Sequence, residues 1–436
     1  AFCYSSIEKF VIPAHVKFID GEVFDTQEKC QFEFEKKSEL ISLNSFFINE
    51  IENSLFIGNK TIYDGGALWN SGSTLEVKDS VFKDNIASGK YTGMDSIGNK
   101  NIYNMSQGQG GAIDADNDNF IVENSVFENN SSGNQGGAVN TASKNTTITN
   151  SNFISNNAIA EGGAINIENY YHKEGESNPL NVEISNTNFE NNKVQAINGR
   201  GILLGNEYSN INFDKKTNII TDEKGNTYSL NNCSFSSDRS IKAPNGEYIG
   251  HYMTSSGGAI NIIGDSEVTI SDSQFKNNSI ELNDNLGINI ASGGAVNSNS
   301  KLNVRNSIFD GNSVNGTYTN KMTYPDSVSE ETGKFGVGGA ISSVDRTVQS
   351  NDGTSDVTTI EGELLVSDST FNNNSAVLGG AIYSEGSATI KKGTFTNNTA
   401  SSMTKETRTY NFDGKEYTAQ NEYDTGRGGA IDAYGD

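Results

Sequence analysis

Apolar and polar residues alternate in short runs along most of the chain, and no helical periodicity of useful length accompanies them. Runs such as LEVKDSVF, EVTISDSQF, KLNVRNSIF and ELLVSDSTF place apolar side chains at positions i and i+2. A period of two is that of a β-strand with one buried face. The pattern therefore predicts an all-β chain built from many short strands.

One recurring motif, F-x-x-N, follows these runs, and most copies carry Ser or Thr two residues before the Phe. Its copies are Phe56 with Asn59, Phe82 with Asn85, Phe127 with Asn130, Phe153 with Asn156, Phe189 with Asn192, Phe275 with Asn278, Phe309 with Asn312, Phe371 with Asn374 and Phe395 with Asn398. Phe235 with Asp238 is a degenerate copy.

A second motif, Gly-Gly-Ala followed by an aliphatic residue, alternates with the first. Its glycine pairs are Gly65 with Gly66, Gly110 with Gly111, Gly136 with Gly137, Gly162 with Gly163, Gly257 with Gly258, Gly293 with Gly294, Gly338 with Gly339, Gly379 with Gly380 and Gly428 with Gly429. GRGI at Gly199 is a degraded tenth copy.

The motif spacing sets the length of one repeat. Phe127 and Phe153 lie 26 residues apart, and Phe371 and Phe395 lie 24 apart. A period of about 25 residues is typical of a solenoid, in which each repeat buries its apolar face only against its neighbours. We therefore predict a right-handed parallel β-helix of about ten coils with loop insertions.

The motif residues suit this architecture, and we interpret them as structural. Phe residues of successive coils would stack on one another, and Asn residues would form a ladder of side-chain amides. The two glycines would turn the chain where no side chain fits, and the following Ala would pack at a narrow point of the core.

Coil lengths vary mainly between F-x-x-N and the next Gly-Gly-Ala, where long insertions span 82–110, 235–257, 275–293, 309–338 and 395–428. Insertions on one edge of a repeat protein are the usual place for binding. Tyr recurs in them and offers large contact area with a polar tip. The candidate binding residues are Tyr91, Tyr103, Tyr318, Tyr324, Tyr410, Tyr417 and Tyr423, with Tyr248 and Tyr252 in the same class of insertion. The alternative is that these Tyr residues only anchor long loops.

Composition narrows the classes of function. The formal charge of −24 would repel nucleic acid and anionic lipid surfaces. No stretch reaches the roughly 18 apolar residues of a membrane helix. We expect no nucleic-acid partner, no membrane span in this sequence and no cofactor.

Candidate chemistry is sparse. Asp114, Asp116 and Asp118 have the alternate spacing of a calcium loop, but the Gly and Glu that such a loop needs are missing, so a solvated acidic turn is the competing interpretation. The three histidines are isolated and no acid pair recurs in a motif. We expect no metal site and no enzymatic activity, although some carbohydrate-active enzymes share the predicted fold.

The alternating GGA[I/L/V] and F-x-x-N motifs resemble the repeats of the chlamydial polymorphic membrane proteins, and FNNNSAVLGGAIYS and FENNSSGNQGGAVN look like typical members. The resemblance covers roughly residues 50–436. It implies a β-helical adhesin at the cell surface or outside the cell, with a host-cell surface protein or glycan as partner. A structural coat protein and, less well supported, a polysaccharide lyase or hydrolase are the alternatives.

The first 50 residues carry a different motif from the rest of the chain. IEKFVIPAHVKFIDGEVF resembles a BspA-type leucine-rich repeat, with Ile12, Pro13, Val16, Ile19 and Phe24 at the matching positions. The resemblance implies two domains, a leucine-rich-repeat-like cap over residues 1–50 and the β-helix over residues 51–436. A cap of this kind would cover the first open strand edges.

Overall fold

The structure is a computed structural model. It describes residues 9–12, 18–19, 31–34, 42–44, 49–88, 90–91, 102–103, 108–169, 178–195, 203–204, 212–214, 219–221, 225–229, 232–235, 240–252, 255–284, 291–324, 327–349, 357–412 and 415–434. Within these ranges, the regular elements are β-strands, and most pair in parallel with the strand of the same motif in the next coil. The predicted all-β, parallel β-helix fold is confirmed.

Each coil runs through four short strand segments. The first follows Gly-Gly-Ala and comprises Leu68–Lys78, Ile113–Glu123, Val139–Thr141, Ile165–Glu168, Ile260–Ile263, Val296–Ser298, Ile341–Ser343, Ile382–Ser384 and Ile431–Ala433. Leu68–Lys78 and Ile113–Glu123 continue into the second segment, whose other strands are Glu50–Glu52, Asn145–Thr149, Leu180–Ser185, Ser266–Ser271, Lys301–Arg305, Glu363–Ser367 and Ser387–Lys391.

The third segment carries the motif Phe and forms a nine-stranded parallel sheet of Leu55–Ile57, Val81–Lys83, Val126–Glu128, Asn152–Ile154, Asn188–Glu190, Gln274–Lys276, Ile308–Asp310, Thr370–Asn372 and Thr394–Thr396. The fourth comprises Lys60–Thr61, Ile86–Ala87, Ser131–Ser132, Asn157–Ala158, Lys193–Gln195, Ser279–Asp284, Ser313–Tyr324, Ser375–Ala376 and Thr399–Ala400.

The remaining strands belong to the N-terminal residues and to the insertions. Lys9–Ile12 pairs with Gln31–Phe34. Phe18–Ile19 pairs in parallel with Ser42–Asn44, which pairs in parallel with Leu68–Lys78. The insertion strands are Lys90–Tyr91, Ile102–Tyr103, Leu203–Leu204, Asn212–Asp214, Ile219–Thr221, Thr227–Ser229, Ser234–Phe235, Ser240–Lys242, Tyr248–Tyr252, Ser327–Phe335, Arg346–Gln349, Val357–Ile360, Met403–Phe412 and Lys415–Asp424. Ser255–Ser256 and Ala291–Ser292 precede Gly-Gly-Ala in successive coils and pair with each other in parallel.

The core is a continuous stack of apolar side chains with the Phe rings along one side. Adjacent motif Phe rings are nearly parallel, with centroids 4.6–5.0 Å apart from Phe56 to Phe395. This spacing matches the 4.7–4.9 Å between neighbouring strands, so the rings inherit the repeat of the backbone. The predicted Phe stack is therefore present.

The Asn of F-x-x-N satisfies the turn that follows each Phe. In a representative coil, the backbone N–H and Nδ2 of Asn130 both donate to Oδ1 of Asn156, each at 3.0 Å. Nδ2 of Asn130 also donates to the carbonyl of Phe82 at 2.9 Å. Because Asn85 donates to Oδ1 of Asn130 in the same way, every amide atom of an interior ladder Asn has a partner.

The predicted Asn ladder is continuous over all the described coils. Each member donates from Nδ2 to Oδ1 of the next at 2.8–3.0 Å, in the order Asn59, Asn85, Asn130, Asn156, Asn192, Asn278, Asn312, Asn374 and Asn398. Because every motif Asn takes part, these residues are structural in this fold, as the sequence indicated.

The Ser before the Phe forms a second ladder. Ser80 donates its hydroxyl to the carbonyl of Lys78 and its backbone N–H to Oγ of Ser125. One residue before each ladder position the backbone turns with positive φ, as at Asp79 (48°) and Asp84 (57°). Asn, Asp and Gly tolerate this conformation best, which explains the polar residues that precede the Ser and the Asn.

The Gly-Gly-Ala corner brings successive coils too close for side chains. Gly136 has φ of 63°, and a Cβ atom on Gly137 would lie 2.0 Å from the carbonyl oxygen of Gly163. The following Ala138 is fully buried in the core. The second glycine is thus required by backbone contact between coils. A Cβ atom would lie 2.0–2.2 Å from the equivalent carbonyl oxygen in the next coil also at Gly66, Gly111, Gly163, Gly258, Gly294, Gly339 and Gly380.

The degenerate motif copy at Phe235 does not form a coil of its own. Phe189 stacks directly on Phe275, and Gly163 contacts Gly258, so the chain between them adds no coil. Phe235 lies instead on a strand that pairs antiparallel with Ser240–Lys242, and Gly199 falls outside the described residues. The described part of the solenoid thus contains nine F-x-x-N rungs, and the degenerate copies belong to a long insertion.

The Phe stack should dominate local stability. Phe153 is fully buried between Phe127 and Phe189, so Phe153→Ala should lower the free energy of unfolding of its coils by about 3–5 kcal/mol through the cavity it leaves. Urea unfolding together with amide hydrogen exchange would measure the loss. Ile308→Ala, in the same sheet but 43% exposed, is the matched control and should cost little. Equal effects of the two substitutions would contradict a dominant contribution from the ring stack.

Candidate binding surface

Five of the long insertions leave the solenoid at the same corner, between the fourth strand segment and the next Gly-Gly-Ala. Long connections separate residue 87 from 110, 195 from 257, 284 from 293, 316 from 337 and 400 from 428. The number of residues at this corner can vary because the ladders of Phe, Asn and Ser do not pass through it. The expectation that the insertions align along one edge holds for these connections.

Two of the insertions join into a single antiparallel sheet, here called the arm. The arm comprises Ser313–Tyr324, Ser327–Phe335, Met403–Phe412 and Lys415–Asp424, in that order across the sheet. Ser313–Tyr324 begins as a parallel strand of the solenoid and then pairs antiparallel with Ser327–Phe335. The arm is therefore a direct extension of the fourth sheet.

The two hairpins of the arm come from coils that are not adjacent. The coil between them turns directly from Ser375–Ala376 to Gly379, without an insertion that would separate the hairpins. Six residue pairs, from Ser327↔Tyr410 to Thr332↔Lys405, then join the hairpins edge to edge. The Ser402 hydroxyl adds a hydrogen bond to the carbonyl of Lys334 at 3.1 Å.

A small second core fixes the base of the arm. Val314, Phe335 and Leu282 are buried together, and Tyr318 packs against them with its ring 6.4 Å from that of Phe335. Burial, followed by a hydrogen bond to Glu331, raises the pKa of the Tyr318 hydroxyl to about 12. Tyr318 therefore anchors the arm, which is the alternative role considered for the insertion Tyr residues.

Three other predicted Tyr residues lie farther out on the same face of the arm. Tyr410, Tyr417 and Tyr423 are 39%, 43% and 41% exposed. The Tyr410 and Tyr417 rings stack with centroids 5.6 Å apart at 16°, across the second hairpin. In the first hairpin, the backbone of Tyr324 pairs with Ser327, the residue that pairs with Tyr410.

Polar side chains that the sequence did not single out surround these rings. Glu331 and Glu406 are cross-strand partners, and Glu406 accepts bonds from Arg408 at 3.1 Å and from Asn421 at 3.4 Å. The Tyr423 hydroxyl reaches Glu331 at 3.5 Å. The alternating patterns of SVSEETGKF and MTKETRTYNF are enough to predict that these residues share a strand face. They are not enough to predict that the two strands pair with each other.

The remaining predicted Tyr residues lie on other insertions. Tyr91 and Tyr103 lie on a separate two-stranded antiparallel pair, opposite Ile102 and Lys90 respectively. Tyr248 and Tyr252 bound one strand of the four-stranded sheet within the 195–257 insertion. The arm is thus the element that gathers most of the candidate residues.

Comparison with known families matches the repeat units. Residues 124–142 and 368–385 match the Chlamydia polymorphic membrane protein (Chlamydia_PMP) repeat, and each segment runs from the turn before F-x-x-N through Gly-Gly-Ala. Two repeat units of the chain are therefore similar to polymorphic membrane protein repeats. This repeat family is one of outer-membrane and surface proteins and is generally non-enzymatic. No curated protein and no solved structure matches the chain significantly.

The acidic run in the repeat unit at Gly110 lies on a strand rather than in a loop or turn, and of its three carboxylates Asp114 is buried while Asp116 and Asp118 are exposed. Asp114, Asp116 and Asp118 lie on the extended strand Ile113–Glu123, where alternate residues line one side and cannot encircle an ion. In the described part of the chain, no group of three His, Cys, Asp or Glu residues is arranged to hold a metal ion. Among the same residues, no helix has the length and apolar character to cross a membrane.

Asp114 instead ends a row of buried amides beside the Gly-Gly-Ala corner. Asn140 donates to Asp114 at 2.8 Å, and Asn166, Asn261 and Asn297 continue the row in the same direction at 2.8–2.9 Å. Burial, followed by the nearby Asp116 and Asp64, raises the pKa of Asp114 well above its usual range. The sequence favoured a solvated turn because the contact of Asp114 with Asn140 comes from the next coil, 26 residues away, and no local pattern indicates it.

Asp64 lies close to Asp114, and its carboxyl group should make the stability of the fold depend on pH. Burial raises its pKa to about 6, although the backbone N–H of Gln109 donates to it at 3.0 Å. Since this pKa lies above the value in the unfolded chain, Asp64 disfavours folding above pH 6, and the penalty disappears as the pH falls toward 4. Asp64→Asn should therefore raise the melting temperature at pH 7 and reduce the gain that the wild type shows on acidification to pH 4.5.

Thermal unfolding at the two pH values measures the effect, and Asp424→Asn is the control. Backbone N–H groups of Gly426 and Ser402 lower the pKa of Asp424, so its titration lies below the tested range. The control should keep the wild-type difference between pH 7 and pH 4.5. An unchanged difference in Asp64→Asn would show that Asp64 titrates normally in the folded chain.

Proposed function

We propose that this chain is the surface-exposed, ligand-binding part of an adhesin, and that the arm is its principal binding element. The observation that carries the proposal is the convergence of two insertions into one sheet that presents Tyr410, Tyr417 and Tyr423 on a single face. Large aromatic side chains with polar tips supply much of the binding energy in protein recognition. The partner would be a protein or glycan on a host-cell surface.

The placement at the cell surface rests on the repeats and on the charge. Polymorphic membrane protein repeats belong to a family of outer-membrane and surface proteins. The formal charge of −24 keeps the chain soluble and is unsuited to binding nucleic acid. The solenoid would serve as a rigid support that holds the arm away from the cell.

The aromatic residues of the arm fall into a buried group and an exposed group, and the exposed group favours binding over simple loop anchoring. Tyr318 and Phe335 are the anchors, since they pack into the small second core. Tyr410, Tyr417 and Tyr423 lie outside that core and are about 40% exposed. Exposed aromatic side chains grouped on one face are a frequent mark of an interaction site.

The proposal predicts that binding to host epithelial cells depends on the three outer Tyr residues. The variant with Tyr410, Tyr417 and Tyr423 changed to Ala should bind about tenfold or more weakly, because each ring would lose contact area at the interface. Binding of labelled protein to cells, measured by flow cytometry, gives the apparent affinity. Tyr63→Ala combined with Tyr434→Ala is the matched control, since these residues are 53% and 55% exposed but lie outside the arm.

Trimming whole hairpins tests the same proposal independently. Replacing 316–334 and 403–424 with short turns should abolish binding and leave the solenoid folded. Shortening the Arg346–Gln349 and Val357–Ile360 hairpin, which leaves from another corner, should have little effect. Full binding by the trimmed protein would exclude the arm as the adhesive element, and the structural coat alternative would then gain support.

A further inference from the structure

The outer strand of the arm, Lys415–Asp424, has an open edge. The sheet order ends at this strand, and all ten of its residues are exposed. In the described part of the chain, its backbone pairs on one side only, with Met403–Phe412. Such an edge presents a row of free N–H and C=O groups that can pair with another strand.

One hydrogen bond shows which backbone N–H and C=O groups of Lys415–Asp424 point toward the open edge. The N–H of Thr425 donates to the carbonyl of Ser402 at 3.0 Å, and the register of ten pairs continues from there without a shift. Neighbouring residues of a strand point their backbone groups to opposite sides. The odd-numbered residues of Lys415–Asp424 therefore bond to the inner neighbour, Met403–Phe412. The outward N–H groups are those of Glu416, Thr418, Gln420, Glu422 and Asp424.

This edge lacks the features that usually keep a strand from pairing. The strand contains no Pro and no register shift, and residues 417–421 carry no charge. Natural edges are generally blocked by Pro, bulges, charges in the middle of the strand or a covering segment. A long, regular edge that avoids these devices is suited to receiving a partner.

We propose that the Lys415–Asp424 edge binds an extended segment of another protein by β-strand addition, and that this segment carries basic residues near its ends. The proposal rests on the adhesive function above and specifies its partner as a polypeptide strand. Backbone hydrogen bonds would supply affinity, and side chains on alternate positions would supply specificity. Tyr417 and Tyr423, on one face, would cover side chains of the added strand.

Charge argues against a second copy of this chain as the partner. Symmetric antiparallel pairing of two such edges must place residues of the same face opposite each other. With Tyr417 opposite Tyr423, Glu416 faces Asp424, and in the neighbouring allowed register Glu416 faces Glu422. Like charges directly opposite in a sheet are destabilising, and the formal charge of −24 adds repulsion.

The same carboxylates favour a basic partner. The outer strand carries Lys415 against Glu416, Glu422 and Asp424. Lys405 of the neighbouring strand already neutralises Glu422 at 2.9 Å, whereas Glu416 has no ion pair among the described residues. Asp424 accepts hydrogen bonds from the neutral backbone N–H groups of Ser402 and Gly426. Glu416 and Asp424 therefore keep a negative charge that a new cation can pair with. Lys or Arg opposite these two positions would pair with them at either end of the uncharged centre.

The test uses a defined probe and a matched pair of variants. The probe is a fluorescent ten-residue peptide of alternating Thr and Val with Lys at both ends, and binding is measured by anisotropy. Gln420→Pro removes one outward N–H, whereas Gln420→Ala removes the same side chain and keeps that N–H. The peptide should bind the wild type and Gln420→Ala alike, and Gln420→Pro at least tenfold more weakly.

Amide hydrogen exchange provides a readout specific to the mechanism. In the protein alone, the outward amides of residues 416, 418, 420, 422 and 424 should exchange quickly and the inward ones slowly. The peptide should protect the outward amides. Protection of the inward amides in Gln420→Pro would show that its arm remains folded, and a peptide N-methylated at alternate amides tests the same bonds without changing the protein.

Several results would overturn the proposal. They are equal binding of the peptide by Gln420→Pro and Gln420→Ala, unimpaired binding of the N-methylated peptide, no peptide binding by the wild type, or outward amides already protected in the protein alone. Equal binding of a peptide with Glu in place of Lys would overturn the basic character of the partner. If cells need the arm but bind both Gln420 variants equally, adhesion stands and strand addition fails.

Discussion

Each interior ladder asparagine is bonded to coils on both sides, and this requirement controls the rest of the fold. Oδ1 of Asn130 receives two hydrogen bonds from Asn85, while its Nδ2 donates to Asn156 and to the carbonyl of Phe82. A coil that shifted by one residue would leave these buried groups without partners, at a cost of about 1–3 kcal/mol for each group. The ladder therefore fixes both the register and the length of the chain between Phe and Asn.

Because the Phe, Asn and Ser ladders fix the third strand segment and its two turns, variation in length falls elsewhere. The Arg346–Gln349 and Val357–Ile360 hairpin leaves after the first segment, and most long insertions leave at the corner before Gly-Gly-Ala. Even there the second glycine is constrained, since a Cβ on Gly294 would lie 2.1 Å from the carbonyl oxygen of Gly339. Extra residues must leave before this contact and return to it. Successive insertions are thus stacked along one edge, and two of them can pair when the coil between has none, as Ser327–Phe335 and Met403–Phe412 do.

The sequence was sufficient to predict the solenoid because its determinants are local and repeated. The spacing of F-x-x-N and Gly-Gly-Ala gave the coil, yet Phe235 and Gly199 were counted as a coil because degenerate motifs look alike whether or not they stack. The hairpins of the arm could have been expected from YPDS and FDGK, since Pro, Asp and Gly between two alternating runs are residue types that favour turns. Their pairing across a whole coil, and the burial of Asp114, depend on distant residues and could not be read from a local pattern.

The residues of the arm are separate from the residues of the ladders, so binding specificity can change during evolution without changing the stability of the solenoid. Substitutions at Tyr410, Tyr417 or Gln420 alter exposed side chains of the arm and touch neither the Phe stack nor the Asn ladder. The free energy of folding is supplied mainly by buried repeats such as Phe127 and Asn130, and it should be insensitive to such changes. A solenoid of this kind can thus carry new recognition surfaces at one corner without a loss of stability, which is the property that an adhesin facing a varied surface requires.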